Sequence, residues 1–168
     1  MKDQHMTERK NSTCTIRNLA DSDYGHLLAM YRNFQPKNYI MGLPPPVEPL
    51  RIKWLRKLLH EKFNLIAEED GKIIGHASVI DVPGGDFCEL IVFVHQDYRG
   101  MGIGRRLTEE ICQRALYLGR KKIWLMVESN NTHAIRIYYK IGFRVTRMYG
   151  DVYEMELDIK TPADYMAK

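Results

Sequence analysis

A nearly unbroken apolar stretch that leads straight into a glycine-rich turn constrains the fold of this chain more than any other feature. Residues 87–95 read FCELIVFVH, which is typical of a strand covered on both faces of a sheet. Gly100, Gly102 and Gly104 follow, and apolar residues then recur at helical spacing until Gly119. A buried strand, a tight turn and an amphipathic helix together predict parallel strands covered by helices.

Hydrophobic periodicity and turn residues assign the remainder of the chain to alternating strands and helices. The predicted elements, in order, are strand 13–19, a helix capped by Asp21 or Ser22, helix 50–62 after three prolines, strands 64–70 and 72–80 around Asp70-Gly71, strand 87–95, the helix behind the glycines, strand 122–127, helix 131–141 and two strands turning near Gly150. This order predicts a single α/β (α+β) domain with a mixed central sheet of about seven strands and helices on both faces.

Length and composition indicate one soluble globular domain. The 168 residues carry a net charge of +4 that is spread along the chain, which gives no reason to expect nucleic acid as a partner. The polar N-terminus lacks the apolar segment of a signal peptide, and no apolar run is long enough to span a membrane. We therefore expect a cytoplasmic protein, with a disordered or tag-derived segment at 1–11, the domain at 12–160 and a C-terminal tail at 161–168.

Cysteine and histidine positions give no sign of a metal site. The three cysteines, Cys14, Cys88 and Cys112, are odd in number and lack metal-ligand spacing, which favours a reducing compartment over a disulfide framework. The six histidines form no His-x-x-x-His or comparable pair. We expect no metal cofactor.

The glycine turn is suited to phosphate, because a helix N-terminus offers unpaired N–H groups and a partial positive charge. It does not fit two common phosphate motifs. A P-loop would need Lys and then Ser or Thr after its last glycine, whereas Arg105 and Arg106 follow Gly104. The dinucleotide motif Gly-x-Gly-x-x-Gly fails on spacing, since its third glycine would fall at Arg105 or Leu107.

What remains is Arg99-x-x-Gly102-x-Gly104 between a buried strand and an amphipathic helix, and it resembles the acyl-CoA pyrophosphate loop of the GNAT superfamily of N-acetyltransferases. A second segment, VESNNTHAIRIYYKIGF at residues 127–143, resembles the later motif of the same superfamily. The matching positions are Asn131, Ala134, Ile135, Tyr138, Lys140, Gly142 and Phe143. Both the order and the separation of the two motifs agree with the family.

The resemblance implies that the two central parallel strands splay apart and that acetyl-CoA, as acyl donor, fills the gap. Its pantetheine arm would bind backbone groups of strand 87–95, its pyrophosphate would bind amides of the glycine turn, and Asn131 would hydrogen-bond the arm in addition to capping the last helix. The residues implied in acetyl-CoA binding are Val92, Phe93, Val94, Arg99, Gly100, Met101, Gly102, Ile103, Gly104, Arg105, Asn131 and Tyr138.

The family's reaction, acyl transfer to an amine, needs a base, an oxyanion donor and an acid for the departing thiolate. By resemblance, Tyr138 protonates the thiolate and the backbone N–H of Val94 stabilises the oxyanion. Met126 occupies the position where some members carry the basic glutamate. Glu89 is then the first candidate base, because its segment is similar to that of the bacterial protein-lysine acetyltransferase branch and burial should raise its pKa. Glu128 and a water chain are the alternatives.

The acceptor is implied to be an amine, and the segment between Tyr31 and Trp54 is expected to line its cleft through Tyr31, Phe34, Tyr39, Met41 and the prolines. A small-molecule amine and a protein amine both remain open. A homodimer through the sheet edges is compatible with the sequence, which does not specify one. The alternatives to an enzyme are a non-catalytic acyl-CoA sensor module and, more remotely, a protein that binds ADP or NAD.

Overall fold

The computed structural model describes residues 14–37, 43–61 and 63–159. The predicted terminal segments 1–11 and 161–168 lie outside these residues. Seven strands are present: β1 (Thr15–Asn18), β2 (Phe63–Glu69), β3 (Lys72–Asp81), β4 (Phe87–Val94), β5 (Lys122–Glu128), β6 (Arg144–Tyr149) and β7 (Val152–Asp158). The α-helices are α1 (Tyr24–Asn33), α2 (Glu48–Leu59), α3 (Ile103–Leu116) and α4 (Thr132–Ile141), with 3-10 turns at Asp21–Asp23 and Gln96–Tyr98.

The strands form the mixed sheet that the sequence predicted, and their order in it is β1-β2-β3-β4-β5-β7-β6. Among the described strands only β4 and β5 run parallel, and their pairing is limited to Phe87 with Lys122, Cys88 with Ile123 and Glu89 with Trp124. Beyond Glu89 and Trp124 the two strands are no longer paired, although each continues for several residues. The predicted splay between the central parallel strands is therefore confirmed.

Helices cover both faces of the sheet and produce two hydrophobic cores. On one face α3 and α4 pack against strand residues that include Leu65, Cys88 and Leu125. On the other face α1 and α2 pack against residues that include Ile66 and Phe93. Because strand side chains alternate between faces, Glu89 and Glu128 point to the α1/α2 face, opposite to Cys88 and Val127.

The start of α1 differs from the prediction that Asp21 or Ser22 would cap it. Residues Asp21–Asp23 form a 3-10 turn, and it is the carboxylate of Asp23 that accepts a hydrogen bond from the Ala20 N–H at 2.8 Å. Arg17 holds this carboxylate through two further hydrogen bonds of 2.6 and 2.9 Å and keeps the pKa of Asp23 low, at about 2. Arg17 and Asp23 are only six residues apart, but sequence spacing does not show the ion pair between them.

A chain of buried polar side chains crosses the α1/α2 core. The Tyr31 hydroxyl lies 2.7 Å from His76 Nδ1, and His76 Nε2 lies 3.0 Å from Asn64 Oδ1. Because the Asn64 amide donates to the carbonyls of Leu58 and Glu61, its oxygen accepts from His76, and Nδ1 of His76 accepts from Tyr31. Burial lowers the pKa of His76 to about 3, so the ring is neutral in the folded protein.

We expect Tyr31→Phe to lower the free energy of unfolding by about 1–3 kcal/mol, since it leaves a fully buried imidazole nitrogen without a donor. Tyr117→Phe, at a tyrosine that is 83% exposed, is the matched control and should have no measurable effect. Urea denaturation measures the free energy of unfolding of both variants.

The buried His76 also predicts a pH dependence of stability. Because the folded pKa of His76 lies below its unfolded value, the free energy of unfolding should fall as the pH drops from about 6.5 towards 3. Urea denaturation of the wild type at several pH values measures this.

Candidate functional site

A cavity of about 420 Å³ opens where β4 and β5 separate. It is lined by the end of β4, the glycine turn, the start of α3, the end of β5 and the first turns of α4. The residues predicted to bind acetyl-CoA that line it are Val92, Phe93, Val94, Arg99, Gly100, Gly102, Ile103, Gly104, Asn131 and Tyr138. Met101, Arg105 and Glu89 are not among its lining residues. The structure thus brings most of the predicted set to one place.

The backbone of β4 presents alternate residues to the splay. The His95 N–H donates to the Ile74 carbonyl of β3 at 2.9 Å, and the strands pair antiparallel from this point. Since antiparallel hydrogen bonding alternates, the N–H and C=O of Phe93 also point to β3, whereas those of Val92 and Val94 point towards β5. Phe93 therefore lines the cavity with its side chain, while its backbone N–H and C=O are directed at β3 and away from the splay.

Two glycines of the turn adopt backbone conformations that favour glycine over other residues. Gly100 and Gly102 have φ values of +78° and +80°, in the left-handed region where side chains are disfavoured, and a Cβ on either would meet no protein atom within 4 Å. The first intrahelical bond of α3 runs from the Arg106 N–H to the Gly102 carbonyl at 3.1 Å. The amides of Ile103, Gly104 and Arg105 precede that bond and therefore have no partner within the helix.

Arg99 and Arg105, the two arginines implied in acetyl-CoA binding, make contacts that the sequence did not indicate. The Arg105 guanidinium pairs with Glu109, one turn along α3, at 2.7 Å. Nε of Arg99 donates to the Val94 carbonyl at 3.1 Å, and its Nη2 donates to the Gln35 carbonyl. Both guanidinium groups are therefore engaged with this chain's own groups, which leaves backbone amides as the main feature of the turn facing the cavity.

Tyr138 and Asn131 occupy the α4 side of the cavity. Burial raises the pKa of Tyr138 to about 12, with the nearby Cys112 adding to the shift, so its phenol carries its proton at neutral pH. Asn131 is the N-cap of α4, and its Oδ1 accepts from the Ala134 N–H at 3.3 Å. The capping role predicted for Asn131 is confirmed.

Glu89 and Glu128 differ in their relation to the cavity although they share a face of the sheet. Glu89 lies at the closed end of the splay, opposite Trp124, and burial raises the pKa of its carboxyl while Lys57 lowers it. Glu128 lines the cavity at the open end. Its Oε1 is buried and has no hydrogen-bond partner within the described part of the chain. A general base that must contact the substrate is better placed at Glu128 than at Glu89.

The wall on the α1/α2 side of the cavity is largely apolar. The residues that line it are Phe34, Pro36, Leu43 and Met126. Of these, Phe34 was expected from the sequence to line the acceptor cleft. Tyr31 instead lies in the core, while Tyr39 and Met41 lie outside the described residues. His133 and Ile137 of α4 were missed by the sequence analysis, because helix residues near a site carry no local signal of it.

Comparison with known proteins settles the family. The profile of the Acetyltransferase (GNAT) family matches residues 27–143, which is more than half of the chain. The chain belongs to the GNAT family. A GNAT structure from Salmonella typhimurium, solved with its cofactor acetyl-CoA, is 25% identical, covers 89% of this chain and 96% of its own, and superposes with a TM-score of 0.71.

Two GNAT relatives have more specific names. A Salmonella typhimurium L-methionine sulfoximine/L-methionine sulfone acetyltransferase is 34% identical over 86 residues, 49% of this chain and 50% of the relative. An Escherichia coli L-amino acid N-acyltransferase is 33% identical over the same lengths of both chains. The matched part of this chain spans about half the length of each of these curated relatives.

Within residues 14–37, 43–61 and 63–159, no group of three or more His, Cys, Asp and Glu side chains is arranged to hold a metal ion. In the same ranges, none of the helices has the length and apolar character needed to cross a membrane.

Proposed function

We propose that this GNAT protein transfers an acetyl group from acetyl-CoA to a primary amine by direct attack in a ternary complex. The observation that carries the proposal is the cavity in the splay, which joins the inward-facing backbone of Val92 and Val94, the unpaired amides at the start of α3 and the protonated phenol of Tyr138. The three free cysteines agree with a reducing, cytoplasmic location.

The donor half of the cavity has the groups that each part of acetyl-CoA requires. The pyrophosphate would bind the amides of the turn from Gly100 to Arg105, in front of the positive end of the α3 dipole. The pantetheine arm would pair with Val92 and Val94 as an additional strand between β4 and β5. Asn131 lines the same channel and would contact the arm with its amide group.

The reaction joins the amine nitrogen to the acetyl carbon and breaks the carbon–sulfur bond. The backbone N–H of Val94 would donate to the oxyanion of the tetrahedral intermediate. Tyr138 would give its proton to the departing thiolate, which suits a phenol whose raised pKa keeps it protonated. The amine must lose its own proton before or during attack, and this step requires a base.

For that base we propose Glu128, with Glu89 as the alternative that the sequence favoured. Glu128 lines the cavity, and its buried Oε1 lacks a partner among the described residues, which an ammonium group would supply. Glu89 has a raised pKa, as a base requires, but from its position at the closed end of the splay it would have to act through water.

For the acceptor we propose a small amine with an apolar body, of the L-amino acid type. Phe34, Leu43 and Met126 supply an apolar surface, and Glu128 is the one carboxylate among the described residues that line the cavity. A single carboxylate suits one ammonium group better than a polycationic acceptor. The names of the methionine sulfone and L-amino acid relatives agree with this class.

Thiol release from acetyl-CoA in the presence of single amines tests the function. The panel should contain L-methionine sulfone, L-methionine, spermidine and a lysine-containing peptide, with the product identified by the mass of one added acetyl group. We expect turnover with at least one amino acid. Tight acetyl-CoA binding without turnover of any amine would instead support the sensor module, since a sensor needs the glycine turn but not Tyr138.

We expect Tyr138→Phe to reduce kcat by about tenfold or more, because the thiolate loses its proton donor, while acetyl-CoA affinity changes little. Tyr139→Phe, one position along α4 at a tyrosine that is 52% exposed, is the control and should behave as the wild type. Steady-state kinetics with saturating acetyl-CoA measure the effect. Full activity of Tyr138→Phe would mean that the thiolate leaves without help from this residue.

A further inference from the structure

The glycine turn is fastened to the opposite wall of the cavity by two side chains. Gln96, in the 3-10 turn that leads to the glycines, donates from Nε2 to the Asn33 carbonyl at 2.9 Å and accepts at Oε1 from the Gln35 N–H at 3.0 Å. Its primary amide thus pairs with the backbone of the segment after α1. Gln96 is separated from these residues by more than 60 positions in the chain.

Arg99 makes the second connection. Its Nη2 donates to the Gln35 carbonyl, its guanidinium carbon lies 5.2 Å from the centre of the Phe34 ring, and its Nε donates to the Val94 carbonyl. The Phe34 ring packs in turn against Phe93 of β4, with centroids 5.5 Å apart. Arg99 therefore connects the end of β4 and the glycine turn to the wall formed by Phe34.

Apart from the buried ring of Phe34, the segment held in this way is exposed. Asn33, Gln35 and Pro36 are exposed, and α1 ends at Asn33. Phe34 and Pro36 line the apolar half of the cavity, whereas Gln96 is not one of the lining residues. A segment of exposed backbone at the end of a helix depends on side-chain contacts for a fixed position.

We propose that Gln96 and Arg99 are positioning residues that hold the wall at residues 33–36 in place for the acceptor, so that the turn which binds the donor also shapes the acceptor site. This inference rests on the proposed function and gives Arg99 a role other than phosphate binding. It locates a determinant of acceptor affinity in a residue, Gln96, that is not among those lining the cavity.

The test compares Gln96→Ala with Gln113→Ala, a change at an exposed glutamine on α3 outside the cavity lining. With L-methionine sulfone as acceptor, Gln96→Ala should raise the acceptor KM about three- to tenfold and leave the acetyl-CoA Kd and kcat nearly unchanged. Hydrogen exchange should also speed up in a peptide covering residues 33–37, where the Gln35 amide loses its acceptor. The control should change none of these.

An unchanged acceptor KM together with unchanged exchange at residues 33–37 would overturn the proposal. The exchange measurement does not require turnover, so it separates this inference from the proposed function, which fails if the wild type acetylates no amine. Arg99→Lys provides a second test. A charge needed only near phosphate is preserved in lysine, whereas lysine lacks the planar guanidinium whose separate nitrogens donate to the carbonyls of Val94 and Gln35. The proposal predicts a raised acceptor KM in this variant, and a wild-type KM would contradict it.

Discussion

Gly102→Val should weaken acetyl-CoA binding by about a hundredfold or more, because it places a branched side chain where the pyrophosphate would meet the amides at the start of α3. Gly102 is the N-cap of α3 and has a φ of +80°. A Cβ there has no protein atom within 4 Å, so the new side chain would project into open space and not into the core. The loss would therefore arise from occlusion of the turn together with strain of the backbone.

Gly119→Val separates those two causes. Gly119 also has a positive φ, +66°, and free space around its Cβ, but it follows the C-terminal end of α3 and is not among the residues lining the cavity. Both variants carry a similar backbone strain of about 1–2 kcal/mol. Calorimetric titration should show acetyl-CoA affinity lost in Gly102→Val and retained in Gly119→Val. Retained affinity in both variants would refute the assignment of the turn.

Glu128→Gln should reduce kcat/KM by about a hundredfold or more, since it removes the proposed base from the cavity. The side chain keeps its size and its position at the end of β5, so binding of acetyl-CoA should be unaffected. A base acts in its ionised form, so the kcat/KM profile of the wild type should have an acidic limb. That acidic limb of the kcat/KM profile should disappear in Glu128→Gln and persist in Glu89→Gln.

Glu89→Gln is the matched variant because both carboxylates point to the same face of the sheet from adjacent strands. The raised pKa of Glu89 predicts that, if Glu89 were the base, the acidic limb would lie above the ordinary range of a carboxyl group. Loss of the limb in Glu89→Gln alone would contradict the choice of Glu128. Retention of the limb in both variants would point to the substrate amine or to a water chain.

Local sequence patterns were sufficient to predict the elements that build the donor site. The apolar run of β4, the glycines with positive φ and the amphipathic α3 are neighbours in the chain, so their arrangement follows from strand, turn and helix preferences. Tyr138 is different. Its position on α4 fits an ordinary core tyrosine equally well, and only the family motif assigned it a role in acetyl-CoA chemistry. In the structure Tyr138 lines the cavity.

Contacts between distant parts of the chain were beyond sequence reasoning. Nothing near Arg99 indicates that its guanidinium reaches Gln35, 64 residues away, and nothing near Arg17 indicates its pairing with Glu68. The choice between Glu89 and Glu128 likewise depends on where β4 and β5 separate, which the sheet as a whole determines. Such features arise from tertiary packing, and the periodicity of apolar residues does not predict them.

A crystal structure of the protein with acetyl-CoA would show directly where the donor binds. In it we expect pyrophosphate oxygens within hydrogen-bond distance of the amides between Gly100 and Arg105, the pantetheine arm paired with the backbone of Val92 and Val94, and the thioester beside Tyr138 and the N–H of Val94. A cofactor bound outside the splay, or an arm that leaves Val92 and Val94 uncontacted, would contradict this expectation.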